Sequence, residues 1–486
     1  MWIFRKQKEV FRFPQSLFET FDHGIDQFRR RTRYGPSSRD NPSQWDSNKR
    51  KGTTMNLKAR IESYQEDMLR DLNRLLAHDS VAGEPKTGAP CGEAVAQCLE
   101  EALAIARELG LSTRNVEGWV GEASHGQGDD YVAILGHLDI VPVGNDWTTN
   151  PFGEIRDGRI YGRGTNDDKG PLVAALYALK ALREEGAVLT SPVRVIMGTC
   201  EETGGPDIET YLKSAPQPKA GFTPDASFPV IYAEKGILRV ELRKPLKTSD
   251  IEILELTGGS APNMVPDKAT LSYCLDGEST KLALKGLSAH GSTPELGDNA
   301  ILKLFRSMKQ LDRRLAPEME FLLDAFADVN GEHLGIGLSD EPSGKLTCNL
   351  GQLMCDGGQM KLVLDLRIPV TFTDADVISA LRLKFAPRGY QLSFGEFTPP
   401  LYYPEDLPMI QSLMSVYQEV TGDESARPIA IGGGTYAKSM NNVVAFGPGL
   451  PGREEVDHIA DEFIRIEDLL TWTHIYAKAI LALSNL

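Results

Sequence analysis

Several features are scarce in this sequence, and each scarcity excludes something. Its 486 residues include six cysteines and no Cys-x-x-Cys pair. Neither a disulfide framework nor a zinc knuckle or redox motif is expected, and a reduced, intracellular chain fits best. No run of about 18 apolar residues occurs, so no membrane span is expected. Met1-Trp2-Ile3-Phe4 is shorter than the apolar core of a secretory signal. Positive charge is in short supply, with 52 Lys and Arg against 68 Asp and Glu and a net charge of −16. Nucleic acid and anionic membrane both require a basic footprint, so neither is expected as a partner.

What is present describes a soluble globular protein of two or three domains: 41% hydrophobic and 25% charged residues, placed by expectation in the cytoplasm. The charge is uneven. Residues 1–54 carry 12 basic and 6 acidic side chains, which leaves −22 on the remainder. This segment lacks apolar periodicity. It is expected to be a disordered tail or upstream sequence foreign to the native product, with a basic arm or transit peptide as the alternative.

From Met55 onward the pattern is regular. Leu57, Ile61, Tyr64, Met68, Leu72, Leu75 and Leu76 follow the spacing of an amphipathic helix, and a second helix is predicted over 92–109 with Cys98 on its apolar face. Residues 131–135 and 193–197 read as buried strands, separated by a helix from Pro171 to about Glu185. A short helix over 207–214 follows. This alternation predicts an α/β layer with a largely parallel sheet and helices on both faces. Residues 237–287 and 361–369 instead read as strands, with helices at 299–311 and 317–327. After about 405 the helix–strand alternation returns, ending in a helix over 466–484. The expected organisation is an α/β domain formed by 55–235 and 405–486, interrupted by an inserted α+β domain over 236–404.

Polar residues gather where predicted strands end, the place where open α/β sheets hold ligands. His137 and Asp139 close the first strand, and a carboxylate two residues away can orient an imidazole ligand. Gly162 to Pro171 sets Asp167 and Asp168 before a helix, where capping is the plainer explanation and bridging two cations the functional one. Glu201 and Glu202 follow the 193–197 strand. On an extended segment they would face opposite sides, one toward a metal and one toward a water. Cys200 beside them is read as structural, because neighbouring carboxylates raise a thiol pKa. Asp225 ends the next strand, and His458 lies in an acidic loop that would otherwise pass as surface. Each signal alone is weak. Together they supply the donors of a two-metal hydrolytic centre.

The segments His137 to Pro142, Gly162 to Pro171, Gly198 to Gly204 and Phe222-Thr223-Pro224-Asp225 closely resemble the M20 family of zinc-dependent metallopeptidases. Within it the chain looks most like the PepV-type dipeptidases, also called Xaa-His or carnosine-type, from about Met55 to the C-terminus. Val143 to Trp147, Pro151-Phe152 and Glu234-Lys235-Gly236 extend the likeness.

The resemblance implies a zinc-peptidase catalytic domain interrupted by a lid. It implies two zinc ions, with manganese or cobalt as substitutes: His137 and Asp225 on one, Glu202 and His458 on the other, and Asp167 bridging. Asp139 would clamp His137, and Glu201 would be the general base toward a metal-bound water. A cis peptide is expected between Asp167 and Asp168. Cys200 departs from the Asp that the family commonly places before the Glu pair, which puts the local hydrogen bonding in question. In the lid, His290 would stabilise the tetrahedral intermediate, and Asn263 and Arg367 would bind the substrate's terminal carboxylate. A guanidinium fork suits that group geometrically. Gly434, in Gly432-Gly433-Gly434-Thr435, would offer backbone N–H groups to it.

The expected activity is hydrolysis of dipeptides with a free N-terminus. An amide deacylase, of the acetylornithine deacetylase or succinyl-diaminopimelate desuccinylase kind, is the alternative within the same chemistry. A catalytically silent binding protein is the remote one. The enlarged lid favours a monomer, with a lid-mediated homodimer as the alternative.

Overall fold

The computed structural model describes residues 56–486; the expectations for residues 1–54 fall outside them. The chain forms two hydrophobic cores. One gathers residues from 57–233 and 401–483 together with Val370. The other gathers residues from 238–390.

The first core is built on a nine-stranded sheet. Its spatial order is Ser112–Val116, Val120–His125, Val193–Gly198, Val132–His137, Ala220–Thr223, Val443–Ala445, Ile231–Glu234 and Leu401–Tyr402, with Ile429–Ile431 also paired to Ile231–Glu234. The four central strands, from Val193–Gly198 to Val443–Ala445, run parallel. The flanking pairs Val120–His125 with Val193–Gly198 and Val443–Ala445 with Ile231–Glu234 are antiparallel. Strand 132–137 is buried along its whole length, as a strand covered on both faces must be.

Two glycines show what covers each face. Gly136, level with Met197 across the ladder, would press a Cβ into Leu172 of helix Lys169–Glu184. Gly198 lies one residue on and therefore on the opposite face. A Cβ there would meet Tyr436 and Asp207. Helix Lys169–Glu184 is buried on nearly every side, lying against the sheet and helix Ile466–Ser484, which explains why its sequence is apolar all round rather than striped.

The inserted region is a seven-stranded antiparallel sheet in the order Glu278–Lys285, Lys268–Leu275, Glu252–Gly258, Thr347–Asp356, Gln359–Ile368, Gly236–Pro245 and Gln391–Phe394. Its core draws on helices Ala300–Leu311, Ala316–Ala325 and Asp374–Phe385.

Three sequence expectations need correction. The first predicted helix is two, Leu57–Glu62 and Gln65–Leu76, broken at Ser63-Tyr64; both pieces keep the apolar face, so periodicity did not register the break. Glu201 and Glu202 lie on a turn, with Gly204 N–H donating to Glu201 O and Gly205 N–H to Cys200 O, not on an extended segment. Cys200 is disulfide-bonded to Cys91, 109 residues earlier in the chain, while Cys98, Cys274, Cys348 and Cys355 are free. Cys98 is buried, as its place on the helix predicted. Among the described residues no helix is long and apolar enough to cross a membrane.

Candidate metal centre

Strand Val132–His137 delivers His137 to the carboxyl end of the sheet with no side-chain exposure. Its Nδ1 lies 3.0 Å from the Asp139 carbonyl oxygen. A carbonyl only accepts, so Nδ1 carries a hydrogen and Nε2 is the nitrogen left to face the pocket. Nε2 is 2.8 Å from Asp167 Oδ1 and 3.9 Å from Asp225 Oδ1. The other oxygen of Asp167 lies 2.9 Å from His458 Nε2, and Glu202 Oε1 is 3.2 Å from the same nitrogen. Asp167 therefore spans the two imidazoles, one oxygen to each. The peptide between Asp167 and Asp168 is cis.

Two donor groups result. The ligand atoms of His137, Glu201 and Asp225 lie within 4.8 Å of one another, and so do those of Asp167, Glu202 and His458. Nitrogen and carboxylate oxygen in this ratio fit zinc and also manganese or cobalt.

The electrostatics agree with that fit. Burial alone would lower the His137 pKa, but Asp139 and Asp167 raise it well above its ordinary value. Hydrogen bonds to Asp167 and Glu202 raise His458 to about 10. Burial tends to raise Asp167, yet the two histidines hold it low. Burial and the neighbouring carboxylates lift Glu201 to about 7 against the opposing influence of His137, and burial with Asp167 raises Asp225. A pocket with this much carboxylate favours positive charge, and in the metal-free chain protons on the imidazoles supply it.

Asp139 does something other than expected. Its carboxylate is 3.5 Å from His137 Nδ1, farther than its own carbonyl. It accepts instead from the backbone N–H groups of Glu201 at 3.1 Å and Glu202 at 3.0 Å. The carboxylate thus fixes the glutamate turn, and the backbone of the same residue orients the imidazole.

The inserted domain brings its residues to a different place. Arg367, nearly buried, is gripped by Asp365 at 2.5 Å and donates to Gly432 O at 3.0 Å. Ser292 abuts Gly432, where a Cβ would stand 2.7 Å from the serine's Cβ. His290 Nδ1 lies 2.6 Å from Ser292 Oγ, and the Asn263 carbonyl accepts from Gly291 N–H at 2.7 Å. Desolvation and the Arg367 charge lower the His290 pKa. Arg367, His290, Asn263 and the Gly432–Gly434 loop are therefore one neighbourhood. Among the described residues no hydrogen bond or ion pair joins it to the His137–His458 cluster.

Residues 133–482 match the model of peptidase family M20/M25/M40. The chain belongs to this peptidase family. It is 38% identical over 469 residues to the Bacillus subtilis (strain 168) protein named "Putative dipeptidase YtjP", an alignment covering 89% of this chain and all of that one. Among solved structures, human carnosine dipeptidase 1 is similar with a TM-score of 0.54 and 15% identity, covering 88% of this chain and 99% of that one. An M20 family metallo-carboxypeptidase from Sulfolobus solfataricus gives 0.55 and 16%, covering 86% and 100%. At these identities the two structures speak to the fold, and they agree with the mixed α/β architecture described above.

One residue in this M20 chain was invisible to motif reading. Asp207, at the start of helix Asp207–Leu212, is buried, and its Oδ2 accepts from Thr199 N–H at 2.8 Å, Cys200 N–H at 2.9 Å and the Tyr436 hydroxyl at 2.7 Å. With Asp139 it holds four consecutive N–H groups, 199 to 202. The hydrogen bonding left in question at Cys200 is supplied from here. Gly198 is required because any Cβ would stand 1.9 Å from the Tyr436 oxygen. The nearest sequence signal was the glycine itself, ending a strand just before the glutamates.

Proposed function

We propose that the protein is a dipeptidase working on a two-metal centre, with His137 and Asp225 on one ion, Glu202 and His458 on the other, and Asp167 shared. The observation that carries this is Asp167, whose two oxygens lie 2.8 and 2.9 Å from the Nε2 atoms of His137 and His458. Family membership and the name of the Bacillus relative support the peptide-bond chemistry. Two bound dications, zinc by preference, would supply Lewis acidity and lower the pKa of water toward neutrality.

The chain's own residues do the rest. Glu201, held by its N–H on Asp139, accepts a proton from the attacking water and returns it to the departing amine. His290 donates to the oxygen of the tetrahedral intermediate once the inserted domain closes as a lid. Arg367, aimed by Asp365, and the N–H of Gly434 hold the substrate's terminal carboxylate, with Asn263 beside them. The protein is proposed to act as a cytoplasmic monomer made of a catalytic domain, 55–235 with 405–486, and a lid over 236–404. In a reducing compartment Cys91 and Cys200 would stand as adjacent buried thiols.

The test is a hydrolysis panel of free dipeptides, N-acetylated dipeptides and N-succinyl amino acids, with and without a chelator. Chelator-sensitive turnover of the free dipeptides is expected. Preference for the N-blocked substrates would replace the proposal with an amide deacylase.

A further inference from the structure

The loop carrying His458 and the turn carrying Asp167 lie 291 residues apart in the chain, and besides the Asp167–His458 contact and a bond from Asn166 Nδ2 to Asp457 Oδ1 at 2.6 Å, the Glu462 side chain ties them together. Glu462 is fully buried. Its Oε2 accepts from Arg163 Nη1 at 2.7 Å. Its Oε1 accepts from Gly164 N–H at 3.1 Å and Asn166 N–H at 2.9 Å, with Asp167 N–H and the Thr165 hydroxyl farther off at 3.4 Å. Three backbone N–H groups of the 163–167 turn, those of Gly164, Asn166 and Asp167, thus point with the Arg163 guanidinium at a single carboxylate, while the N–H groups of Arg163 and Thr165 go to Pro151 O and Gly162 O.

That carboxylate stands four residues after His458. The segment between them is bent, with His458 at φ 62° and Asp461 at φ 58°. Such left-handed backbone is unfavourable at non-glycine residues and persists only where the surroundings hold it. Asp461 is held by the N–H and hydroxyl groups of Thr148 and Thr149 at 2.7–2.9 Å. Glu462 then anchors the end of the loop. Strand Phe463–Arg465 continues from it to pair with Arg159–Tyr161, just before the turn.

We infer that Glu462 is a positioning residue that sets the distance between Asp167 and His458 before any ion arrives, so that the centre is preorganised for two dications. A carboxylate suits this task better than an amide, because it accepts from several backbone N–H groups and neutralises Arg163 together. Outer partners of metal ligands typically account for 10–100-fold in affinity.

The inference rests on the metal-centre proposal, and the experiment separates the two. Full-length protein stripped with chelator is titrated with Mn2+ by calorimetry, as wild type, Glu462→Gln, Glu462→Gln with Arg163→Met, and Glu318→Gln. The double variant removes the arginine that the single one strands. Glu318 takes Lys244 and the Tyr390 hydroxyl in the inserted domain and controls for loss of a charged contact remote from the centre. Both Glu462 variants are expected to melt cooperatively and bind Mn2+ at least tenfold more weakly, while Glu318→Gln stays within twofold of wild type whatever its melting temperature. Unchanged affinity in a folded Glu462 variant would overturn the inference. So would equal weakening in Glu318→Gln, or failure of both Glu462 variants to fold, since Glu462 would then hold the chain rather than the centre. If wild type itself binds no Mn2+, the metal-centre proposal has failed instead.

Discussion

Loading the centre with metal must evict protons, and the number can be worked from the geometry. His458 Nε2 faces only carboxylate oxygens, at 2.9 and 3.2 Å. His137 has a carbonyl on Nδ1 and a carboxylate on Nε2. Both rings are therefore imidazolium in the metal-free chain at neutral pH, His458 with a pKa of about 10 and His137 raised in the same direction. A metal needs the lone pair, so binding two ions releases the imidazole protons, about two, and any proton that burial holds on Asp225 adds to them. By linkage, each proton so released raises the overall constant for two ions about tenfold per pH unit, or roughly 1.36 kcal/mol per proton. Calorimetric titration of chelator-stripped protein with Mn2+ at pH 7.5, in phosphate and in Tris, reads the proton count from the difference in heat. A count near zero would show that the imidazoles are already neutral, and the electrostatic account of the pocket would fall. The same pairing stabilises the metal-free fold. Because the folded pKa of His458 exceeds its ordinary 6.5, that contribution is complete below pH 6.5 and is lost as pH rises through about 10. Urea unfolding of the stripped protein is expected to need less denaturant at pH 9.5 than at pH 7.

Other expectations test separate parts of the site. Glu201→Gln should retain both ions by elemental analysis while kcat falls about 10²–10⁴-fold; turnover near wild type would remove Glu201 as the base. Gly198→Ala should destabilise the protein by about 1–3 kcal/mol in urea melts and depress kcat, because the new methyl meets the buried Tyr436–Asp207 pair; a silent substitution would mean that pair can move. Replacing Cys91 and Cys200 by serine opens a cross-link between residues 109 apart, for which chain entropy sets an upper limit near 5 kcal/mol. Wild type should lose comparable stability in reductant, and indifference to reductant would show that the thiols are not joined.

Much of this site was legible because its proposed ligands occupy places that topology dictates. His137, Glu202 and Asp225 follow strands whose apolar runs are easy to see, and Asp167 precedes a helix announced by glycines and Pro171. What stayed hidden acts through backbone. Asp207 and Glu462 hold N–H groups, which every residue but proline offers, so their partners leave no mark on the sequence. Asp139 was noticed, but its principal work on the Glu201 and Glu202 amides was hidden for the same reason. The Cys91–Cys200 bond joins positions that only the folded sheet brings together. The glutamate turn was read as extended because a strand leads into it, and the end of a strand is the part that side-chain alternation describes least well.

The order of the proposed ligands along the chain sets a schedule for synthesis. His137, Asp167, Glu202 and Asp225 are made early, but His458 follows Asp225 by 233 residues, roughly 12–47 s at about 5–20 residues per second. During that interval the sheet is also unfinished, because strand Val443–Ala445 belongs between Ala220–Thr223 and Ile231–Glu234. The residues of the second core are all made before His458. A nascent chain thus carries the three proposed carboxylate ligands and one histidine, and a protein interrupted anywhere before residue 458 lacks the last proposed ligand. On the proposed ligand assignment, hydrolytic activity is withheld until residue 458 has been made.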